Sequence, residues 1–133
     1  ESIELPGVSL KIIPWSEETE VECLSSFDVG IMPMPNDPWA CGKCGFKLIQ
    51  YMASGLPVIA SPVGVNKEIV DNGVNGFLSD SNEQWVEAFE KLYKNVDMRD
   101  KMGAVGRKLI ESKYCINVTG SKMAQLLTGL TKD

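Results

Sequence analysis

Histidine is absent from all 133 residues of the chain. Its absence removes the usual general base near neutral pH, the Ser–His and Cys–His nucleophile pairs, and most zinc chemistry. Cysteine is sparse, with four residues at positions 23, 41, 44 and 115. That is too few for a disulfide-built scaffold, and a reduced setting is the simpler reading. Long apolar runs are also lacking, and none approaches the ~18 residues of a membrane span. Basic residues are in deficit, 13 Lys and Arg against 18 Asp and Glu, for a net charge of −5. Scattered as they are, they argue against a nucleic-acid surface. The opening stretch, ESIELPGVSLKIIPW, has neither the basic start nor the long apolar run of an export signal. The expectation is a cytoplasmic protein. The abrupt start, close to an expected strand, is consistent with a piece of a longer chain. A 44 % hydrophobic content over this length suits one domain with a real core.

The order of elements follows from apolar periodicity and from Gly, Pro and capping signals. Residues 8–13 (VSLKII) alternate and then run apolar, which predicts a strand. Ser16 is placed to cap an acidic-first helix through Glu17, Glu18, Glu20 and Glu22, with Val21, Leu24 and Phe27 at helical spacing. Residues 28–32 form a short apolar strand. Pro33, Pro35 and Pro38 then predict a stiff loop through Trp39. A helix is expected from about Phe46 to Ser54, with Gly55 at its C-terminal cap. PVIAS, residues 57–61, reads as a fully buried strand because it is apolar without alternation. Residues 66–70 suit one or two helical turns, and DNGVNGF carries two Asn-Gly turn signals. Beyond it the pattern is helical. Ser81 and Gln84 have capping-box spacing, and Trp85, Ala88, Phe89, Leu92 and Val96 form one stripe. Met98, Met102, Val105 and Leu109 form a second, and Met123, Leu126, Leu127 and Leu130 a third. Strand–helix alternation with right-handed crossovers implies an α/β fold: a Rossmann-like parallel sheet flanked by helices, with a helical C-terminal tail.

The chemistry gathers at GKCGFK, residues 42–47, which opens directly into the Phe46 helix. A helix N-terminus offers unpaired N–H groups and partial positive charge, a natural seat for phosphate. Gly42 and Gly45 let the backbone come close to a ligand, and Gly45 and Phe46 lie where backbone N–H groups can reach its phosphates. Lys47 in the first helical turn opposes the dipole, a conflict that a bound phosphate would remove. Lys43 is a second cation on the loop. Gln50 lies three residues after Lys47 and can share its face. Trp15 follows the expected first strand, where a base could stack or the ring could pack. Glu68 is explained by charge at a helix start.

Across residues 42–78 the motifs resemble those of the retaining "group 1" glycosyltransferases, often called family four, which have the GT-B fold; the likeness extends over essentially the whole chain and is densest over residues 28–78. The residues that carry the likeness are the Gly-rich loop, Tyr51-Met52-Ala53-Ser54-Gly55, Leu56-Pro57-Val58-Ile59-Ala60-Ser61, Gly64, Glu68-Ile69-Val70 and Asn72 to Leu78. The resemblance implies two Rossmann-like domains with the active site in the cleft between them. Residues 1–133 would then be a single, truncated, C-terminal nucleotide-sugar-binding domain. The donor would be a nucleotide-diphosphate sugar, with no other cofactor and no metal. The acceptor, a sugar or a lipid-linked sugar, would be held by a missing N-terminal domain, through which alone a membrane surface would be met. Lys47 would be the catalytic cation, supporting the leaving diphosphate. Trp15, Gly42, Lys43, Cys44, Gly45, Phe46, Lys47 and Gln50 would bind the donor.

One departure stands out. The family carries glutamate, seven residues and glutamate across this loop and helix, and those places fall here on Gly42 and Gln50. Gln50 could bond the nucleotide ribose as a neutral amide, whereas Gly42 has no side chain to offer the donor sugar. This motivates one alternative, a nucleotide-sugar-binding module without catalysis. A second is a thioredoxin-like dithiol protein, because Cys41-Gly42-Lys43-Cys44 precedes a helix. Cysteines that merely pack, and a zinc knuckle lacking its second ligand pair, are the remaining readings of that motif.

Overall fold

A computed structural model describes residues 5–130. Three short strands, β1 (Gly30–Met32), β2 (Val58–Ala60) and β3 (Gly76–Leu78), form a parallel sheet in the order β1-β2-β3. The register sets Gly30, Ile31 and Met32 against Val58, Ile59 and Ala60, and these against Gly76, Phe77 and Leu78. Central β2 is buried along its whole length, and its side chains serve two cores. Val58 and Ala60 face one core with Leu48, Met52, Ile69 and Ile110. Ile59 faces the other with Ala88, Leu92 and Met102. The two-residue period of a strand buried on both faces explains why PVIAS is apolar throughout.

Helices α3 (Phe46–Ala53) and α6 (Val96–Lys113) cover the first face, and α5 (Asn82–Lys94) covers the second with help from α6. The expected capping box forms: Ser81 Oγ accepts from Gln84 N–H at 3.3 Å, and Gln84 Oε1 accepts from Ser81 N–H at 3.4 Å. Asn95 caps α6 by accepting from Met98 N–H at 2.9 Å. Where α6 crosses the end of α3, Gly103 admits the chain. A Cβ there would collide with the Gly55 carbonyl oxygen.

Three expectations are corrected, and one strand is added. Residues 8–13 form no strand; they run exposed and outside the sheet. Alternation gives a strand only where a neighbour takes up its backbone N–H and C=O groups, and no described segment does so here. Helix α1 (Glu20–Ser25) starts later than Ser16, with Thr19 at its N-cap and no side-chain cap. The Ser16 hydroxyl donates to Glu18 instead, while its carbonyl accepts from Glu20 N–H at 3.0 Å. The proline-rich segment contains a helical turn, α2 (Pro38–Cys41). Asp37 Oδ1 caps it at Ala40 N–H, 2.7 Å away, and Pro38 sits at a first-turn position that needs no N–H. Strand β3 had no signal of its own, because three residues are too few to show a period.

The short helix α4 (Asn66–Ile69) lies where expected. The last helix, α7 (Ile116–Leu130), also forms, but none of its residues is buried. The stripe of Met123, Leu126, Leu127 and Leu130 is exposed, so it is not part of the described core.

Candidate functional site

The loops that leave the carboxyl ends of β1 and β2 meet, which is where open α/β sheets place their ligands. Buried polar groups tie them together. Ser61 Oγ accepts from Met34 N–H at 2.9 Å, and Asn66 Nδ2 donates to the Ser61 carbonyl at 3.0 Å. Asn66 is only 1 % exposed, so its amide holds the turn between β2 and α4 from inside. Gly45 adopts φ 68°, a left-handed conformation that favours glycine. It is buried, and a Cβ would meet Ile69 Cδ1 at 2.6 Å. The Gly-rich loop is therefore pressed onto α4 at the point where α3 begins.

Gly45 is the N-cap residue of α3, and no side chain caps this helix, in contrast to Asp37, Ser81 and Asn95 at α2, α5 and α6. Phe46 and Lys47 are its first two residues and are exposed. Their N–H groups precede the first intrahelical bond, from Leu48 N–H to the Gly45 carbonyl at 2.9 Å. The start of α3 thus presents backbone donors and a lysine together, with no side-chain cap on the helix.

Beside it lies an open cavity of about 300 Å³ whose lining includes Lys47, Trp15, Glu20, Lys11 and Tyr51. Trp15 is 72 % exposed, so its ring is available to a ligand and is not spent on the core. Burial pushes the Tyr51 phenol above its ordinary pKa, which keeps it neutral. Gln50 does not line the cavity. It half-buries against α1, where its Nε2 donates to Glu20 Oε1 at 3.0 Å.

The expected site residues therefore divide into two groups. Trp15 and Lys47 share the cavity, and Gln50 reaches it through Glu20. Gly42, Lys43, Cys44, Gly45 and Phe46 form the approach to the α3 N-terminus, outside that lining. Glu68 is exposed in the first turn of α4. Cys41 and Cys44 are free and exposed, so the packing role expected for them is not what they do. Among the described residues no group of three or more candidate ligands could hold a metal ion, and no helix is long and apolar enough to cross a membrane. Sequence reasoning missed Glu20, Ser61 and Asn66. Glu20 passed as one of several acidic residues opening a helix, and the polar pair carried no periodicity.

The parallel sheet and its helical cover define a Rossmann-like α/β domain of the kind found in GT-B glycosyltransferases. The chain belongs to the glycosyl transferases group 1 family, whose model matches residues 7–109. It is 32 % identical over 89 residues to D-inositol 3-phosphate glycosyltransferase of Paenarthrobacter aurescens, covering 65 % of this chain and 21 % of that one. It is 31 % identical over 88 residues to sucrose synthase of Melioribacter roseus, covering 62 % and 11 %. The chain thus spans about a fifth or less of these curated relatives. Among solved structures, sucrose-phosphate synthase from Thermosynechococcus elongatus superposes with a TM-score of 0.72 at 24 % identity, over 81 % of this chain and 26 % of that one. Anabaena HepE in complex with UDP and glucose superposes at 0.71 and 17 % identity, over 80 % and 28 %. These likenesses show the fold. The family match runs through Cys41 and Cys44, so the thioredoxin-like reading of that motif is not favoured.

Proposed function

We propose that this chain is the donor-binding domain of a retaining, cytoplasmic glycosyltransferase whose acceptor is held by a second, N-terminal domain. The observation that carries the reading is the uncapped start of α3, with Lys47 in its first turn and Trp15 in the same cavity. The diphosphate of a nucleotide sugar would accept from the loop and helix N–H groups and pair with the Lys47 ammonium, while the base lies against Trp15. Membership of the glycosyltransferase family supports this, as does the UDP that the HepE neighbour holds.

In the transfer, the acceptor hydroxyl oxygen bonds to the anomeric carbon of the donor. The bond from that carbon to the diphosphate oxygen breaks, and its electron pair stays on the leaving diphosphate. The acceptor proton passes to a donor phosphate oxygen. Lys47 and the α3 N-terminus stabilise the charge that grows on the leaving group. The test is release of nucleoside diphosphate by the full-length protein from a panel of UDP-, GDP- and ADP-sugars, with and without sugar acceptors. Acceptor-dependent release from one donor supports transfer. Tight donor binding without release would favour the non-catalytic module that Gly42 motivates, and no binding of any donor would overturn the reading.

A further inference from the structure

Glu20 is the carboxylate in a cavity lining whose other charged groups are the cations Lys11 and Lys47. Its Oε1 takes a hydrogen bond from Gln50 Nε2 at 3.0 Å, joining the first residue of α1 to α3 across thirty positions of sequence. Both residues are half-buried. A carboxylate has two oxygens and about four acceptor sites, so one bond from an amide fixes its orientation and leaves most of its accepting capacity open. A negative group is the wrong sign for a diphosphate. It suits a part of the ligand that donates hydrogen bonds.

In a nucleoside diphosphate the ribose joins the base to the phosphates. A cavity that offers the base an aromatic face and the phosphates an ammonium therefore meets the ribose with the rest of its lining. The ribose carries two adjacent hydroxyls, which a carboxylate can accept as a pair. We propose that Glu20, held in place by Gln50, recognises the ribose diol of the donor. Gln50 is then a positioning residue, because its amide nitrogen is committed to Glu20. This rests on the reading of the cavity as a nucleoside-diphosphate site.

The experiment measures the affinity of the full-length protein for UDP, GDP and ADP and for their 2′,3′-dideoxy counterparts. For the nucleotide that binds most tightly, the natural form should bind at least about tenfold better than the dideoxy form. Glu20→Ala should bring that ratio close to one, and the shape-conserving Glu20→Gln, which guards against misfolding, should lower it as well. Gln50→Leu should lower it in part. The ratio carries the test, since a merely structural role would weaken both forms equally. A wild-type ratio near one, or a ratio that survives both Glu20 variants, overturns the proposal while leaving the site as a nucleoside-diphosphate site. Failure of the wild type to bind any of the three nucleotides overturns the underlying reading, and this inference with it.

Discussion

At the scale of single residues, chemistry and structure pull apart at Cys41 and Cys44. Both cysteines are exposed ahead of α3, Cys41 at the end of α2 and Cys44 on the loop that follows, yet neither lines the cavity that Lys47 and Trp15 share. The Cys41→Ser, Cys44→Ser double variant should therefore keep nucleoside-diphosphate affinity within about tenfold, or ~1.4 kcal/mol. A larger loss by calorimetry would return the cysteines to the site. Asn66 predicts a different outcome. Its buried amide shares the Ser61 carbonyl with Val63 N–H, and Asn66→Ala would remove the amide's bond while leaving Val63 N–H on that acceptor. A cost of about 0.5–1.5 kcal/mol in denaturant unfolding is expected, with weaker nucleotide binding, because Ser61 also holds Met34. Lys47 was legible in the sequence as a cation in conflict with its own helix, and Trp15 as an aromatic beside a turn. Glu20 was not. Its bond to Gln50 spans thirty residues, and no local pattern reports a contact of that range.

At the scale of elements, packing decides what propensity leaves open. Glycine is a poor residue for a long helix, at a cost of about 1 kcal/mol against alanine. In α6, Gly103 is retained where the helix touches the backbone at Gly55. Gly103→Ala should therefore destabilise the fold in spite of its better propensity. The overpacking cost of about 1–3 kcal/mol outweighs the gain because backbone cannot step aside as a side chain can. A lowered denaturant midpoint is the expected reading, and a raised one would show that α6 and α3 sit further apart. The same scale explains which elements the sequence announced. β2 was legible because burial on both faces leaves an unbroken apolar run, and α5 because its capping box is local. Residues 8–13 read as a strand, but hydrogen-bond partners make a strand and alternation alone does not. β3 and α2 are too short for a period, and α2 was masked by prolines that favour loops as readily as a first helical turn.

At the scale of the whole molecule, two cores share one central strand, and Gly45 at the start of α3 packs on Ile69 of α4, the helix that follows that strand. The α7 stripe of Leu126, Leu127 and Leu130 lies outside both cores. Its periodicity was legible, but periodicity says which face is apolar and not what covers it. Under the two-domain proposal this chain supplies the donor half of a cleft. By itself it should bind nucleoside diphosphate without carrying out acceptor-dependent transfer, and robust transfer by these 133 residues alone would sink that proposal.

The placement of the diphosphate at the start of α3 is tested most directly by calorimetric titration of nucleoside diphosphate into the full-length protein and its Lys47→Ala variant. A charge-assisted bond in a partly dry cleft contributes ~1.5–3 kcal/mol. The variant should therefore bind roughly ten- to a hundredfold more weakly. Its melting temperature should be unchanged, because a lysine in the first turn does nothing for the bare helix. Equal affinities at equal melting temperatures would contradict the placement and leave Lys47 a solvated surface charge.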